Sequence, residues 1–259
     1  MPTFKARAII LRSHKLGEAD KIIRMYSKQG RIISAVAKGS RKTRSRFRGR
    51  LELFNMADME LTSGRNLDII NQADIIHCYD NISKDFYKFA FAGIIANIIL
   101  KTQAAGNENP ALFKLLYISL NEIDSAAQED ELTLKKILCL FEAKFLQVTG
   151  FEPMLDICSS CNKDPGGLYM MEKKDIYFSV ANGGILCSQC SRDTGAKKRL
   201  GTSTFRLLSD LFRLKIEDLR GVDLDPGNLK KVYSLLEDYL VYHSDCTLDS
   251  FRYLRKIGI

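Results

Sequence analysis

The sequence has no apolar run long enough to cross a membrane. Its most apolar stretch, residues 89–100, is twelve residues long and contains Gly93 and Asn97, whereas a membrane-spanning helix needs about 20 apolar residues. Lys5 and Arg7 lie near the N-terminus, where an export signal requires an unbroken apolar segment. We therefore expect a cytosolic protein without transmembrane helices.

The chain also lacks the short motifs that mark common nucleotide-dependent and metal-dependent enzymes. It contains no G-x-G-x-x-G that leads into a helix, no G-x-x-x-x-G-K-[ST] and no H-E-x-x-H. Its three histidines lie in separate segments: His14, His77 and His243. Adjacent carboxylates such as Glu237 and Asp238 fall on segments that are typical of solvated helix faces. These absences predict a protein that is not an enzyme.

The composition is that of a globular protein. Of the 259 residues, 46% are hydrophobic and 27% are charged, which excludes a disordered or fibrous chain. A chain of this length forms one large domain or two to three small ones.

Positive charge is concentrated in the first third of the chain. Residues 1–80 hold 16 basic and 8 acidic side chains, whereas residues 81–259 hold 23 of each, so the first segment accounts for the net charge of +8. Residues 38–50 include no acidic side chain and seven basic ones: Lys38, Arg41, Lys42, Arg44, Arg46, Arg48 and Arg50. An acidic polymer is the expected partner of such a run.

This basic run favours nucleic-acid binding because of its setting. Gly39 and Gly49 bracket it, Phe47 lies among the arginines, and apolar segments flank it. Basic side chains of this kind contact phosphates, and an aromatic ring can stack on a base of a single strand. We predict that the seven basic side chains and Phe47 form the binding site. Two alternatives stay open: the run could be a solvated loop, and Phe47 could belong to a core.

Four of the seven cysteines form two C-x-x-C pairs, Cys158 with Cys161 and Cys187 with Cys190. An odd number of cysteines without an export signal argues against a disulfide framework. Four thiolates in such pairs suit one tetrahedral zinc ion and fill its coordination shell, so we predict one structural Zn²⁺. The other three cysteines are predicted to be ordinary buried thiols: Cys78, Cys139 and Cys246.

Other roles for the two pairs fit the sequence less well. Redox dithiols of the thioredoxin type occur near a βαβ pattern, which is missing here. Buried thiols would not be separated by serine and glutamine, but spacing alone does not exclude an iron–sulfur cluster. The 25 residues between the pairs include two strand-like runs, residues 168–171 and 176–180, which we expect to form a hairpin. Asn162 follows the first pair, where the chain needs a residue that tolerates positive φ.

The first 80 residues predict a small β-barrel. Strand patterns cover residues 3–13, 22–26, 32–37, 51–61 and 67–76. Five short strands with a long connection before the fourth fit a closed barrel, because closure removes exposed edges. An OB-fold is the leading candidate, and an SH3-like barrel is the alternative.

After Asp80 the apolar pattern becomes helical. We expect helices that start after an N-cap at Ser83, at Asn109-Pro110 and near Glu131, and then over residues 203–214, 228–242 and 248–256. The fold class is therefore α+β, with an N-terminal five-stranded OB-fold β-barrel followed by an α-helical domain with an inserted four-cysteine zinc module. The predicted segments are the barrel (1–80), the first helical part (81–154), the zinc module (155–195) and the second helical part (196–259).

Several stretches in order along the chain resemble the bacterial RecO family of recombination mediators. The clearest is residues 36–49, V-A-K-G-S-R-K-T-R-S-R-F-R-G, which is similar to the family's signature between the third and fourth barrel strands. The similarity continues in Ala8 to Leu11 with Gly17 to Lys21, and in Thr149 to Pro153 before the first cysteine pair. Some members of the family lack the cysteines, which supports a structural role for the ion.

The resemblance implies a non-enzymatic, bacterial, cytoplasmic protein associated with the nucleoid. It implies binding to single- and double-stranded DNA, annealing of complementary strands, and help in loading the RecA recombinase onto strands coated by single-strand-binding protein. The implied protein partners are RecR and the C-terminal tail of single-strand-binding protein. An alternative function is that of an RNA-binding accessory factor in translation or rRNA processing, since OB-like barrels and zinc modules are common there too.

Overall fold

The structure is a computed structural model that describes residues 2–103, 107–164, 176–216, 218 and 225–244. Its contacts group these residues into two compact units, one up to Asp130 and one from Glu131 onward. This division lies within the segment predicted as the first helical part, and the four predicted segments stay a prediction. None of the described helices is both long and apolar enough to cross a membrane.

The first unit begins with five strands that form a closed barrel in the order β1-β2-β3-β5-β4. The strands are β1 (Thr3–Leu16), β2 (Asp20–Ser27), β3 (Ile32–Ala37), β4 (Met56–Thr62) and β5 (Asp68–His77). Strands β3 and β5 pair in parallel, whereas the other pairs are antiparallel. The predicted OB-type barrel is confirmed, and β3 has the predicted bounds.

The predicted fourth strand is wrong at its start. The apolar run begins at Leu51, but β4 begins at Met56. Leu51 and Phe54 are buried although they lie in turns, and Phe54 has a φ of 69°. Residues 51–55 therefore supply core side chains without joining the sheet, because a turn can also direct an apolar side chain inward.

The barrel core follows the two-residue period of its strands. On β1, Ala6, Ala8 and Ile10 point into the barrel and belong to its buried cluster. Ile9 and Leu11 point the other way and are buried as well, because helix α2 (Phe86–Thr102) packs against β1. Burial on both faces explains why this stretch of β1 is continuously apolar.

Among the described residues of the first unit, three helices follow the barrel: α1 (Asp80–Lys84), α2 and α3 (Pro110–Ser125). The predicted cap at Ser83 is wrong. The side chain of Asp85 caps α2 by accepting a hydrogen bond from the backbone N–H of Lys88 at 3.0 Å. Asn109 caps α3 as predicted, with Pro110 in the first turn.

The turn between β2 and β3 meets the start of α3. The carbonyl of Gly30 accepts a hydrogen bond from the backbone N–H of Asn109 at 2.9 Å. Gly30 has a φ of +87°, and a Cβ at this position would lie 2.1 Å from the carbonyl carbon of Asn109. Only glycine permits this approach.

The second unit combines helices with a small sheet. Helices α4 (Glu131–Thr149), α6 (Thr202–Arg213) and α7 (Pro226–Ser244) pack against one another. Strands β6 (Ile176–Ser179), β7 (Gly184–Leu186) and β8 (Lys198–Leu200) form a sheet in the order β7-β6-β8, and the short helix α5 (Ser188–Asp193) follows β7.

Some predictions for this unit fall outside the described residues, namely the strand-like run at 168–171 and the helix at 248–256. The run at 176–180 does form a strand, β6, which pairs with β7 and β8, whereas the predicted hairpin with residues 168–171 lies outside the described residues. The helices predicted at 203–214 and 228–242 are confirmed as α6 and α7.

Candidate functional site

The first cysteine pair lies in a tight loop. The backbone N–H of Asn162 donates to the carbonyl of Cys158 at 2.9 Å, and the N–H of Cys158 donates to the carbonyl of Lys163 at 3.0 Å. Asn162 has a φ of 59°, as predicted for the residue that turns the chain. The loop therefore brings Cys158 and Cys161 to one side.

The second cysteine pair lies at the start of α5. Cys187 is the N-cap of this helix, and its Sγ accepts a hydrogen bond from the backbone N–H of Cys190 at 3.4 Å. The two pairs are joined through β7, because the N–H of Ser159 donates to the carbonyl of Ile185 at 2.8 Å. Since β7 leads directly into Cys187, this contact places the first pair beside the second.

The four predicted ligands come together in one cluster. Their Sγ atoms all lie within 4.8 Å of one another, and those of Cys161 and Cys187 are 3.8 Å apart. Four sulfurs at about 2.3 Å from a tetrahedral ion would be about 3.8 Å apart. The cluster can therefore hold a metal ion with four thiolate ligands.

The surroundings of Cys158 favour its thiolate form. Burial alone would raise the pKa of this thiol, but hydrogen bonds from backbone N–H groups of Cys187, Ser160 and Cys161 outweigh burial and lower the pKa to about 6. A hydrogen bond from the backbone of Cys190 likewise lowers the pKa of Cys187. Thiolates are the form that binds metals. At Cys190 a hydrogen bond with Ser160 is outweighed by those with Cys187 and Cys161, which raise the pKa to about 12.

The remaining cysteines differ in their surroundings. Cys139 is fully buried in α4, and burial holds the pKa of its thiol well above the usual value. Cys78 is half-buried, and Cys246 lies outside the described residues. Among the described residues, the only group that could hold a metal is the cluster of four.

Residues 38–50, here called the basic loop, connect β3 to the turns before β4 as a series of tight turns. Backbone hydrogen bonds link Lys42 to Gly39, Ser45 to Lys42 and Arg48 to Ser45 at 3.0 to 3.2 Å. These internal bonds give the loop a defined shape.

Both ends of the basic loop are attached to the barrel. At the start, the N–H of Arg41 donates to the carbonyl of Ala19 at 2.9 Å, and its guanidinium donates to the carbonyl of Gly17 at 2.8 Å. At the end, Nη1 of Arg50 donates to the carbonyl of Ala73 at 2.9 Å and to Asp74 at 3.1 Å. The charges between these ends are therefore held at one end of the barrel.

Phe47 does not occupy the position that base stacking requires. Its side chain is only 3% exposed and belongs to the buried barrel cluster, next to Leu51. The guanidinium carbon of Arg46 lies 4.9 Å from the centre of the ring, a cation–π distance. The prediction that Phe47 stacks on a base is therefore corrected, because the ring is packed into the barrel core.

All seven basic side chains of the loop are exposed. Arg41 and Arg50 make the anchoring contacts, and Arg46 lies on Phe47. The other side chains form no ion pair or side-chain hydrogen bond with any described residue: Lys38, Lys42, Arg44 and Arg48. They are directed into solvent, where phosphates could reach them.

The barrel also carries a pair of arginines outside the basic loop, which the sequence analysis did not predict. Arg12 and Arg24 are directly paired across β1 and β2. Arg12 donates to Oδ1 of Asn97 at 3.0 Å, while burial and then the charge of Arg12 lower the pKa of Arg24. Like charges in this arrangement repel. The sequence places both arginines on neighbouring predicted strands, but it does not give the register of the two strands. Only the structure shows that Arg12 lies opposite Arg24.

Two family models of known proteins together match nearly the whole chain. Residues 1–79 match the family model "Recombination protein O N terminal", and residues 83–250 match "Recombination protein O C terminal". The chain belongs to the RecO family. The resemblance expected from the sequence is thereby confirmed.

Three relatives illustrate how far this RecO similarity extends. DNA repair protein RecO of Desulforamulus reducens is 31% identical, over 99% of this chain and 96% of its own length. The RecO protein of Caldanaerobacter subterraneus is 28% identical over the full length of both chains. That of Listeria monocytogenes is 26% identical over 98% of this chain and 94% of its own. The RecO similarity thus includes the barrel, the helices and the cysteine cluster region.

Proposed function

We propose that this RecO-family chain is a mediator of DNA repair and homologous recombination. It binds single- and double-stranded DNA, anneals complementary strands and assists the loading of RecA onto strands coated by single-strand-binding protein. The observation that carries the proposal is the basic loop, which is anchored at both ends and presents exposed cations at one end of an OB-type barrel.

The DNA-binding residues of the proposal are the seven basic side chains of the loop. They contact phosphates, which are common to all sequences, so binding is independent of base identity. Two strands held on one basic surface repel each other less, because the cations screen their phosphates. Their bases then stay accessible for pairing, which gives a physical basis for annealing.

These activities consist of binding steps, so the proposal assigns no catalytic residue and describes a protein that is not an enzyme. No bond of the DNA is made or broken when strands anneal. The proposed partners are RecR and the C-terminal tail of single-strand-binding protein, with RecA served indirectly. The proposed location is the bacterial cytoplasm, in association with the nucleoid.

We propose Zn²⁺ as the metal of the cysteine cluster, held by Cys158, Cys161, Cys187 and Cys190. The fit rests on the donor set, because four sulfurs within 4.8 Å of one another suit this ion. A zinc ion with four thiolates has no open position for water, so its contribution is structural. The cluster joins the loop after α4 to the start of α5, and the ion would fix this junction.

A competition experiment tests the proposed function. Purified protein is bound to a labelled single-stranded DNA, and unlabelled single-stranded DNA or a structured RNA of equal length is added at the same salt concentration. We expect the DNA to compete at least as well as the RNA. An RNA that competes better would favour the alternative role in translation or rRNA processing. Annealing of complementary strands coated by single-strand-binding protein is the second readout, and no acceleration there would contradict the mediator role.

A further inference from the structure

A cleft lies between the basic loop and β2. Residues from both sides of it line the opening, and most of them are polar or basic, including Lys21, Ser40, Arg41, Lys42, Arg48 and Glu52. The side chains of Phe47 and Leu51 belong to the barrel core. The cleft, here called the Ser40 cleft, is therefore rigid at its base and charged at its rim.

The hydroxyl of Ser40 is buried and has no hydrogen-bond partner among the described residues. Burying a hydroxyl without a partner costs free energy. The backbone that carries this side chain is held on both sides: the N–H of Gly39 donates to Asp20 at 2.7 Å and the N–H of Arg41 donates to the carbonyl of Ala19 at 2.9 Å. A donor is thus fixed beside a cationic opening.

Cations outnumber carboxylates around this hydroxyl, with Asp20 beside Gly39 contributing one carboxylate. Lys21, Arg41, Lys42 and Arg48 contribute four cations, and Glu52 is the one acidic residue of the lining. Nζ of Lys21 is 3.8 Å from Oε1 of Glu52. The guanidinium of Arg41 donates to a neutral carbonyl, that of Gly17, so this contact orients its charge without neutralising it.

We propose that the Ser40 cleft is a discrete site for one phosphate group, with the Ser40 hydroxyl donating to a phosphate oxygen. A tetrahedral anion offers acceptor oxygens in several directions, which matches cations that come from β2 and from both halves of the basic loop. The proposal rests on the proposed function, because the phosphate would belong to a nucleic-acid strand. It goes further by assigning one phosphate to one hydroxyl, rather than a diffuse attraction to the whole loop.

The test compares Ser40→Ala with a matched control, Ser119→Ala. The hydroxyl of Ser119 is also buried without a partner among the described residues, but it lies in α3 and does not line the cleft. Ser40→Ala should weaken binding of a single-stranded oligonucleotide by about tenfold, the effect of losing one hydrogen bond to a charged group. It removes no charge, so the slope of log K against log salt should not change. Ser119→Ala should bind like the wild type.

Thermal melting separates a binding role from a structural one. Each substitution removes a buried hydroxyl that has no partner among the described residues, so both variants should melt at or above the wild-type temperature. A Ser40→Ala variant that melts lower and binds more weakly would show a structural role and would overturn the proposal. Binding of Ser40→Ala equal to that of Ser119→Ala would also overturn it.

Two further arms identify the source of the phosphate. Binding of Ser40→Ala to oligonucleotides with a 5′-phosphate and with a 5′-hydroxyl is compared with that of the wild type. An equal loss of affinity for both oligonucleotides identifies an internal phosphate, and a loss only for the phosphorylated one identifies the phosphate of a strand end. Inorganic phosphate should compete with DNA more strongly than chloride at equal ionic strength for the wild type, but not for Ser40→Ala. If phosphate and chloride compete equally for the wild type, the discrete site is contradicted.

Failure of the Ser40 cleft can be distinguished from failure of the proposed DNA-binding function. If Ser40→Ala binds normally while a variant with Arg44, Arg46 and Arg48 changed to Ala loses affinity, the Ser40 cleft is excluded and the basic loop still binds DNA. If neither variant loses affinity, both the cleft and the loop are excluded.

Discussion

The backbone N–H of Gly39 donates a hydrogen bond to Oδ1 of Asp20 at 2.7 Å. Gly39 has a φ of +68°, a conformation that glycine adopts without strain. Asp20 is the first residue of β2 and Gly39 is the second residue of the basic loop, so the bond joins the loop to the start of β2. An acidic residue thus helps to hold a basic surface in shape.

Replacing Asp20 with alanine should lower the free energy of unfolding by about 1 to 2 kcal/mol, because a hydrogen bond to a carboxylate is lost. The control is Glu18→Ala, which removes the same charge from an exposed position in the adjacent turn. Chemical denaturation of the two variants makes the measurement. Equal stability of the two variants would show that the Asp20 contact does not hold the loop.

Changing Arg44, Arg46 and Arg48 together to alanine should flatten the dependence of log K on log salt. Each phosphate contact on a single strand contributes a slope of about −0.7, so three lost contacts change it by about two units. Binding should weaken to a similar extent for every DNA sequence, since phosphates carry no base identity. Titrations at four or more salt concentrations measure the slope. If the slope stays the same in a folded variant, the loop is not the electrostatic contact.

Changing Phe47 to alanine should lower the free energy of unfolding by about 3 to 5 kcal/mol, because a buried ring is removed from the barrel core. Phe47→Leu retains much of the apolar volume and should recover most of this loss. Melting temperature and DNA affinity are measured on both variants. A Phe47→Ala variant that melts like the wild type but binds DNA more weakly would restore the stacking role.

Purified protein should contain about one zinc ion per chain, as expected for four thiolate ligands. Changing Cys158 and Cys161 to alanine should abolish zinc binding and lower the melting temperature, because the ion stabilises the loop that holds these residues. The control is Cys78→Ala, which changes a cysteine outside the cluster. Elemental analysis of protein prepared without chelators makes the measurement. Zinc-free protein, or unchanged melting of the double variant, would contradict the structural ion.

Stability should depend on pH through Glu142, which is fully buried in α4 and whose carboxyl oxygens have no hydrogen-bond partner among the described residues. Burial, and then the charge of Glu237 in α7, hold its pKa well above the usual 4.5. The folded state therefore favours the protonated form. The contribution of Glu142 to the free energy of unfolding is fully present below about pH 4.5. It is lost as the pH rises toward the folded-state pKa, by up to about 1.4 kcal/mol per pH unit.

Glu142→Gln removes this ionisation, so its stability relative to the wild type should increase with pH between about 5 and 8. The control is Glu131→Gln, which changes a half-buried carboxylate on the same helix that pairs with Lys135. Denaturation at several pH values makes the comparison. A constant difference between Glu142→Gln and the wild type would show that Glu142 does not titrate on unfolding.

The sequence predicted the barrel well where strand period and burial agree. On β3, the apolar run from Ile32 to Ala37 predicted the strand bounds, because Gly30 and Arg31 precede it and the basic loop follows it. The apolar run from Leu51 misplaced the start of β4, because Leu51 and Phe54 are buried from turns. Local pattern cannot distinguish a buried strand residue from a buried turn residue, since the difference arises only when the barrel closes.

The candidate sites show the same limit. The cysteine spacing predicted the cluster, because the chemistry of a C-x-x-C pair is local. Phe47 was ambiguous, since an aromatic residue among arginines suits both a core and a base-stacking surface. The Ser40 cleft was not predicted, because Lys21 of β2 meets the basic loop beside Ser40 only in the folded chain. The run of basic residues was visible in the sequence, but its contact with β2 was not.

The basic loop carries exposed arginines on either side of the inward-facing Phe47, so its length matters for folding more than any single charge that makes no contact with the barrel. Replacing Arg44 or Arg48, whose side chains form no ion pair or hydrogen bond with a described residue, with another polar residue leaves Phe47 and Leu51 in position. Inserting or deleting a single residue between the anchors at Arg41 and Arg50 would displace the ring from the barrel or force a charge into it. Homologous loops should therefore vary in composition while keeping a constant number of residues, and a length change here should be as damaging to folding as a substitution in the barrel core.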